Sequence, residues 1–191
     1  RLPDLVNASD KTGTVITYVV QDNIEGWGDS VEALLNCYFK NTPYSGRKIV
    51  FDYSRIRAKG TKLKTGGGKA PGYKGLKNAH KKIKALLDSV IEDNGQVRLK
   101  TVNAYDILMH CADAVLSGGI RRSACSVIFD ASDEDMMNAK TGKWFEENPQ
   151  RARSNNSAII IRDKTSYKDF CTLIEKTKQF GEPGFLYVID E

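Results

Sequence analysis

The sequence predicts an α/β fold, because short β-branched stretches alternate along its 191 residues with longer stretches of helical periodicity. Hydrophobic residues make up 40% and charged residues 28% of the chain, as in ordinary folded proteins. A chain of this length can bury a substantial core. No linker-like or repeated stretch divides it, so we expect residues 1–191 to form a single segment.

The first half of the chain is predicted to contain two strands and two helices. The strands cover residues 14–20 and 48–52, and the helices cover residues 22–39, beginning with a capping-box pattern, and 76–93. Between the second strand and the second helix, residues 54–75 are rich in Gly, Lys and Arg. The glycines at 66–68 and the Pro71-Gly72 pair are typical of irregular backbone, so we expect a loop here.

The second half continues the alternation. Asn103 is predicted to cap a helix over residues 104–116. Further helices are expected at 132–140 and 166–178, and further strands at 124–130, 156–162 and 184–189. Because the helices are long enough to act as crossovers, the pattern favours a parallel sheet or barrel over an α+β arrangement.

Cysteine and histidine usage argues against a metal site and against a nucleophilic triad. The chain has four cysteines, Cys37, Cys111, Cys125 and Cys171, and two histidines, His80 and His110. No C-x-x-C spacing occurs, and we expect no metal ligands. The first three cysteines lie in apolar stretches and are predicted to be small buried hydrophobes, while both histidines are predicted to be structural or exposed.

The distribution of charge indicates an anionic partner. The net charge is +5, and the basic residues between Arg55 and Lys84 are not interrupted by any acidic residue. Such a segment attracts phosphate, either of a nucleotide or of a nucleic acid. No apolar run approaches the ~18 residues that span a bilayer, and no signal peptide is recognisable, so we expect a cytoplasmic protein.

Three segments carry groups suited to phosphate or sugar binding, because ligands of α/β folds bind in the loops that follow strands. Residues 55–69 combine basic side chains with glycines, but without the Gly-Lys-Ser/Thr of a Walker A loop. Residues 117–124 contain paired glycines and paired arginines, and residues 151–158 contain paired amides between two serines. Each segment also has a purely structural interpretation. Residues 55–69 could be a solvated basic loop, residues 117–124 a helix that ends in glycine beside exposed arginines, and residues 151–158 a simple turn.

Taken in order, these segments resemble ribonucleotide reductases. The matching stretches are Glu25-Gly26-Trp27, Phe51-Asp52-Tyr53-Ser54-Arg55-Ile56-Arg57-Ala58-Lys59-Gly60, Gly118-Gly119-Ile120-Arg121-Arg122-Ser123-Ala124, Arg153-Ser154-Asn155-Asn156-Ser157 and Gly181-Glu182-Pro183-Gly184. Five matches in order are far more specific than any one. The Arg-Arg-Ser-Ala and Ser-Asn-Asn-Ser forms are similar to the adenosylcobalamin-dependent class II enzymes, including their monomeric branch, more than to the iron-dependent class I.

The resemblance implies part of a ten-stranded α/β barrel, in which a cysteine thiyl radical abstracts the ribose 3′ hydrogen and adenosylcobalamin is the cofactor. It implies two specificity loops that face a deoxynucleoside triphosphate effector and carry Arg57, Lys59, Lys64, Gly118, Gly119, Arg121 and Arg122. It implies substrate contacts at Ser123, Ser154, Asn155, Asn156, Ser157 and Gly184. The motifs do not distinguish a diphosphate from a triphosphate substrate.

The sequence also departs from the family pattern. The Asn-Pro-Cys-Gly-Glu type motif of the radical site does not occur, and none of the four cysteines has its context, so we expect no catalytic residue in this chain and no turnover by it alone. The expected partners are the nucleotide substrate, the effector, and the remaining reductase chain or a complementary subunit, as in a split or intein-interrupted enzyme. We expect no membrane partner and no nucleic-acid partner.

Two other functions remain open from the residues alone. The first is a basic nucleic-acid-binding module that uses residues 59–84, although Tyr53 and Tyr73 are few aromatic residues for a stacking platform. The second is a nucleotide-binding regulatory fragment without a catalytic partner.

Overall fold

The computed structural model of the chain describes residues 4–9, 13–63, 68–94, 98–115 and 124–189. In chain order its elements are β1 (Ile16–Val19), α1 (Ile24–Tyr38), β2 (Ile49–Asp52), α2 (Lys74–Asn94), α3 (Thr101–Ala114), β3 (Cys125–Asp130), α4 (Glu134–Met137), α5 (Trp144–Glu147), a 3₁₀ helix (Pro149–Arg153), β4 (Ser154–Ile161), α6 (Tyr167–Phe180) and β5 (Gly184–Val188). Within these residues, no helix combines the length and the apolar character needed to cross a bilayer.

The described strands form two parallel sheets. Strands β1 and β2 pair with Ile16 opposite Ile49. Strands β3, β4 and β5 form the second sheet in that order, with Cys125 opposite Ser154 and Ser157 opposite Gly184. The prediction of an α/β fold with parallel strands is therefore confirmed, because every strand pair described is parallel and the strands alternate with helices.

The first core lies where α1, α2 and α3 pack against the β1–β2 sheet. Leu34 and Tyr38 of α1 meet Ile83 and Leu87 of α2 in one fully buried cluster. The start of α2 also approaches the end of α3 closely, since a Cβ atom on Gly75 would lie 2.6 Å from the carbonyl oxygen of Ala114. A glycine is needed at that position because any side chain would push the two helices apart.

The second core covers one face of the β3–β4–β5 sheet and leaves the other face open. Phe129, Ala158 and Ile160 point to the covered face, where Met136 and Leu173 pack on them. The opposite face is apolar and exposed, with Ile128 at 55% and Leu186 at 44% of full exposure. Side chains alternate between faces along a strand, so each strand contributes to both environments.

Three predictions about local structure are corrected. Asn103 does not cap α3: the helix begins at Thr101, and the Asn103 side chain reaches back to accept from the Lys100 amide at 2.9 Å. Residues 54–75 are not irregular throughout, because the amides of Gly60 and Leu63 donate to the carbonyls of Ala70 and Gly68 and form an antiparallel hairpin. Residues 154–157 begin β4 instead of preceding it.

A buried polar chain joins β2, α2 and α1 through His80. The Ser30 hydroxyl donates to the Trp27 carbonyl at 2.7 Å, so Ser30 accepts from His80 Nε2 at 3.0 Å. The imidazole Nδ1 then accepts from the Tyr53 hydroxyl at 2.8 Å. Burial lowers the pKa of His80 from 6.5 to about 4, because the charged form is poorly solvated inside the protein. The ring is therefore neutral at pH 7, and the prediction of a structural role holds for this histidine.

This histidine should make the fold sensitive to acid. Between the unfolded pKa of 6.5 and the folded pKa of about 4, the unfolded chain binds a proton that the native chain does not, so stability decreases as the pH falls through this range. The pKa difference corresponds to about 3 kcal/mol. We expect His80→Gln to lose most of this pH dependence in urea unfolding at pH 7 and pH 4.5. His110→Gln removes the other buried histidine, whose pKa burial also lowers, and therefore measures the separate share of that histidine in the pH dependence. A His80→Gln slope equal to that of the unsubstituted chain contradicts the assignment.

Candidate functional site

A large cleft lies between the carboxyl ends of β1 and β2 and the amino end of β3. Its volume is about 980 Å³, within the range of small-molecule sites. Three groups of residues line it: Asp22, Asn23, Ile24 and Trp27 after β1; Ile56, Arg57, Leu63, Ala70, Pro71 and Gly72 of the hairpin after β2; and Leu108, Met109, Cys111, Ala112, Val115, Ala124, Cys125, Ser126 and Val127 around α3 and β3. The cleft therefore joins the first predicted loop to the start of β3.

Arg57 stands at the rim of this cleft and is held by Asp22. Its Nε atom lies 2.6 Å from Asp22 Oδ2, its Nη2 atom donates to the Asp22 carbonyl at 3.2 Å, and its backbone amide donates to Asp22 Oδ1 at 3.2 Å. Among the described residues, nothing accepts from Nη1 of Arg57. A guanidinium fixed on one side and open on the other is suited to a phosphate, because its donors are already oriented.

The hairpin that follows Arg57 is closed at its base by glycine. Gly72 has a φ of +73°, and a Cβ atom there would lie 3.0 Å from the backbone nitrogen of Lys59. The two arms can meet only because residue 72 has no side chain. Lys59 is exposed and is not among the described residues that line the cleft, and Lys64 lies outside the described residues.

The second predicted loop begins and ends at the same cleft. Its residues Gly118, Gly119, Arg121, Arg122 and Ser123 lie outside the part of the chain that the structure describes. The residues on either side of the segment, Val115 and Ala124, both line the cleft. This arrangement brings the two ends of the second loop to the base of the first.

The walls of the cleft are mainly apolar. Trp27, Leu63 and Met109 contribute large hydrophobic surfaces, and among the described residues that line the cleft only Asp22 and Arg57 are charged. Burial raises the pKa of the Cys111 thiol in this wall to about 11, so it remains protonated at neutral pH. An apolar wall with one charged group at the rim suits a ligand that has a flat ring and an anionic group.

The third predicted segment lies at the amino edge of the second sheet and divides between its two faces. Ser154 and Asn156 are buried on the covered face. The Ser154 hydroxyl donates to Asn156 Oδ1 at 2.7 Å and lies 2.9 Å from the Tyr105 hydroxyl. Asn156 Nδ2 donates to the same Tyr105 hydroxyl at 3.2 Å. These side chains satisfy one another and fix the start of β4 against α3.

Asn155, Ser157 and Gly184 lie on the open face of the same sheet. Asn155 is exposed, and a Cβ atom on Gly184 would lie 3.2 Å from the Ser157 hydroxyl, so the glycine leaves space beside that hydroxyl. The expectation that all three loops follow strands is wrong for the second and third. Because β3, β4 and β5 are parallel, the segments that precede them meet at the amino edge of the sheet.

A buried ion pair connects this amino edge to the Gly181–Gly184 segment. Lys140 is only 6% exposed, and its Nζ atom lies 3.0 and 2.9 Å from the two carboxylate oxygens of Glu182 while also donating to the Ser154 carbonyl. Glu182 in turn accepts from the Asn156 amide at 3.3 Å. The pair therefore holds the starts of β4 and β5 together.

Sequence reasoning did not identify Asp22, Tyr105, Lys140 or Glu182 as site residues. Asp22 follows β1 directly, so the rule about carboxyl ends of strands would have identified it. Lys140 had no such signal, because it meets a carboxylate 42 positions away. No cluster of three or more His, Cys, Asp or Glu residues within the described ranges could hold a metal ion.

Comparisons with known proteins give the same family for both halves of the chain. Residues 4–87 match the family model described as "B12-dependent ribonucleotide reductase, insertion domain". The chain is 32% identical over 186 residues to the adenosylcobalamin-dependent ribonucleoside-triphosphate reductase of Euglena gracilis, covering 96% of this chain and 24% of that protein. It is also 32% identical over 176 residues to the probable enzyme of that name from Dictyostelium discoideum, covering 90% of this chain and 21% of that one.

A solved structure agrees with these sequence matches. The crystal structure of a B12-dependent (class II) ribonucleotide reductase superposes with a TM-score of 0.74 and 25% identity over 94% of this chain and 24% of that chain. The chain therefore spans about a quarter of the length of the relatives that it matches.

The Lys140–Glu182 pair leads to a stability prediction. Replacing Lys140 by Met leaves the Glu182 carboxylate and the Ser154 carbonyl without their donor inside the protein, which costs about 3 kcal/mol for a buried pair. Lys143→Met is the matched control, because Lys143 is exposed and lies 3.9 Å from Glu146. We expect the control to change the free energy of unfolding by less than about 0.5 kcal/mol. Urea denaturation measures both, and equal effects of the two substitutions contradict the assignment.

Proposed function

We propose that this chain forms the effector-binding part of a B12-dependent ribonucleotide reductase, together with one side of its substrate site, because nearly the whole chain is similar to proteins of that name. In this proposal the complete protein reduces ribonucleotides to deoxyribonucleotides by a thiyl-radical mechanism. The observation that carries the proposal is the cleft that the first predicted loop shares with both ends of the second.

The cleft supports the binding of a deoxynucleoside triphosphate effector. Its apolar wall, with Trp27 and Met109, offers a surface for a base, and Arg57 at the rim offers donors for a phosphate. Lys59 and Lys64 on the hairpin would add positive charge, which strengthens attraction to a polyphosphate. In this proposal the segment that contains Arg121 and Arg122 lies beside the effector, so its conformation depends on which effector is bound.

The amino edge of the second sheet supports a role in substrate binding. We assign substrate contacts to Asn155, Ser157 and Gly184, because these residues lie on the open face. Ser123, which lies outside the described residues, remains a proposed substrate contact from the resemblance. Ser154 and Asn156 are already hydrogen-bonded inside the covered face, and we assign them the role of holding β4 in place. This assignment separates residues that touch the substrate from residues that position them.

We also propose that the two parallel sheets are arcs of a ten-stranded barrel and that residues 1–191 form a single segment of it. The likeness to the class II crystal structure supports this view. The radical cysteine would come from outside this chain. Burial raises the pKa of both Cys37 and Cys111 to about 11, as expected for cysteines that act as small hydrophobic residues. The expected partners are nucleotides and the remaining reductase chain or a complementary subunit.

Adenosylcobalamin appears in the names of the relatives, and it would supply the radical in the complete protein. The described residues do not form a site for it. The two histidines could coordinate a metal only if they were accessible, yet both are buried, and both ring nitrogens of His80 are hydrogen-bonded inside the protein. No step of the proposal for this chain depends on the cofactor.

Nucleotide titration tests the effector site. We expect Arg57→Ala and Arg122→Ala each to weaken binding of a deoxynucleoside triphosphate to the purified chain by at least about tenfold, because each removes a charge-assisted hydrogen bond to phosphate. Lys59→Ala should weaken binding less, since Lys59 lies outside the cleft lining. The control is Lys178→Ala, which removes an exposed cation on α6. Isothermal titration calorimetry measures the affinities, and unchanged binding in both arginine variants would falsify the proposal.

A further inference from the structure

A second groove lies between β2 and α2 and shares no lining residue with the cleft. Its volume is about 680 Å³, again within the range of small-molecule sites. The lining residues are Leu34, Ile49, Val50, Phe51, Tyr53, Tyr73, Lys74, Lys77, Asn78, His80, Lys81 and Lys84. None of these residues is acidic.

One wall of this groove is a continuous series of aromatic rings. Phe51 and His80 are stacked with their ring centroids 4.0 Å apart, and Tyr53 and Tyr73 are stacked at 5.7 Å with 26° between their planes. Tyr73 at the outer end is 39% exposed. The wall is rigid, because His80 is hydrogen-bonded to Ser30 on one side and to the Tyr53 hydroxyl on the other. A rigid aromatic surface with an exposed end favours stacking of a flat ring.

The other wall is a row of lysines on one face of α2. Lys74, Lys77, Lys81 and Lys84 follow one another at intervals of three and four residues, which places them side by side on a helix. Lys84 pairs with Asp88 at 2.6 Å. Within the described part of the chain, the other three have no ion-pair partner. Neighbouring cations without counter-ions produce a local positive potential that attracts a multiply charged anion.

We propose that this groove is a second anion site, which binds a phosphorylated ligand with a flat ring, the chemistry of a nucleoside polyphosphate. The ring stacks on Tyr73, and the phosphates lie against Lys77 and Lys81. A basic helix face that is merely solvated would not need an aromatic wall opposite the lysines. The site is independent of the proposed effector cleft, because the two share no residue.

The groove also gives a structural role to the basic segment that the effector loops do not use. The sequence places Tyr53 and Tyr73 twenty positions apart, and only the fold brings their rings together beside the lysines. The volume of the groove, about 680 Å³, is of the size that a single small molecule occupies.

Amide chemical shifts of the purified chain, titrated with ATP, test the proposal site by site. We expect saturable shifts of residues 73–84, and the double variant Lys77→Glu/Lys81→Glu should weaken this binding at least about tenfold, equivalent to about 1.4 kcal/mol. Tyr73→Ala should weaken the binding of ATP but not that of inorganic triphosphate. The matched control is Lys82→Glu, which lies on the same helix outside the groove and is compared with Lys81→Glu alone, so that the two single variants change the charge equally.

The outcomes separate this site from the effector cleft. Arg57→Ala should leave the shifts of residues 73–84 unchanged. If nucleotide does not bind in the effector cleft but the shifts of residues 73–84 are still observed, the proposal for this groove stands. Absence of shifts at residues 73–84, or equal weakening by Lys82→Glu, overturns it. So does tighter binding of a single-stranded oligonucleotide with a steep salt dependence, which would indicate a nucleic-acid surface.

Discussion

The neutral imidazole of His80 is the interaction on which the arrangement of the first half of the chain depends. It is the only described group that hydrogen-bonds to both Tyr53, just after β2, and Ser30 in α1, while its own helix packs on α3. Protonation would convert Nδ1 from an acceptor into a donor, so the Tyr53 hydroxyl would have to turn and accept, and the buried ring would carry a charge. The hairpin with Arg57 and the aromatic wall of the second groove both start at this junction, so their positions follow from one buried ring.

The secondary structure was largely predictable, because hydrophobic periodicity and capping residues are local signals. Asn23 and Ser166 are the N-terminal caps of α1 and α6, because the side chain of each accepts a hydrogen bond from the backbone amide three residues later. Asn103 misled the prediction since the same side chain can cap a helix from outside or reach back from its third residue. The strand was predicted to begin at residue 156, and Ser154 and Asn156 were predicted to contact substrate, because polar residues rarely occupy buried strand positions. In this fold Tyr105 supplies their partners, and no local pattern reveals a partner about fifty residues away.

The site was predictable in its parts but not in its assembly. Gly, Arg and Lys patterns predicted the segments around residues 55–69 and 118–123 as phosphate-binding candidates, and the order of the motifs indicated the family whose model residues 4–87 match. The patterns could not show that Asp22 orients Arg57 or that Val115 and Ala124 border the same cleft. Those facts depend on crossovers that bring the carboxyl ends of one sheet to the amino end of another. Long-range contacts of this kind are set by topology, which residue types alone do not encode.

The open face of the β3–β4–β5 sheet has a consequence for the behaviour of the chain in solution. Ile128 and Leu186 form part of an uncovered apolar surface, and the outer edges of β3 and β5 are unpaired among the described residues. Unpaired strand edges beside apolar surface template the addition of further strands. A preparation of this chain will therefore tend to associate edge to edge as its concentration rises, and charged substitutions at Ile128 or Leu186 are a direct way to keep it monodisperse.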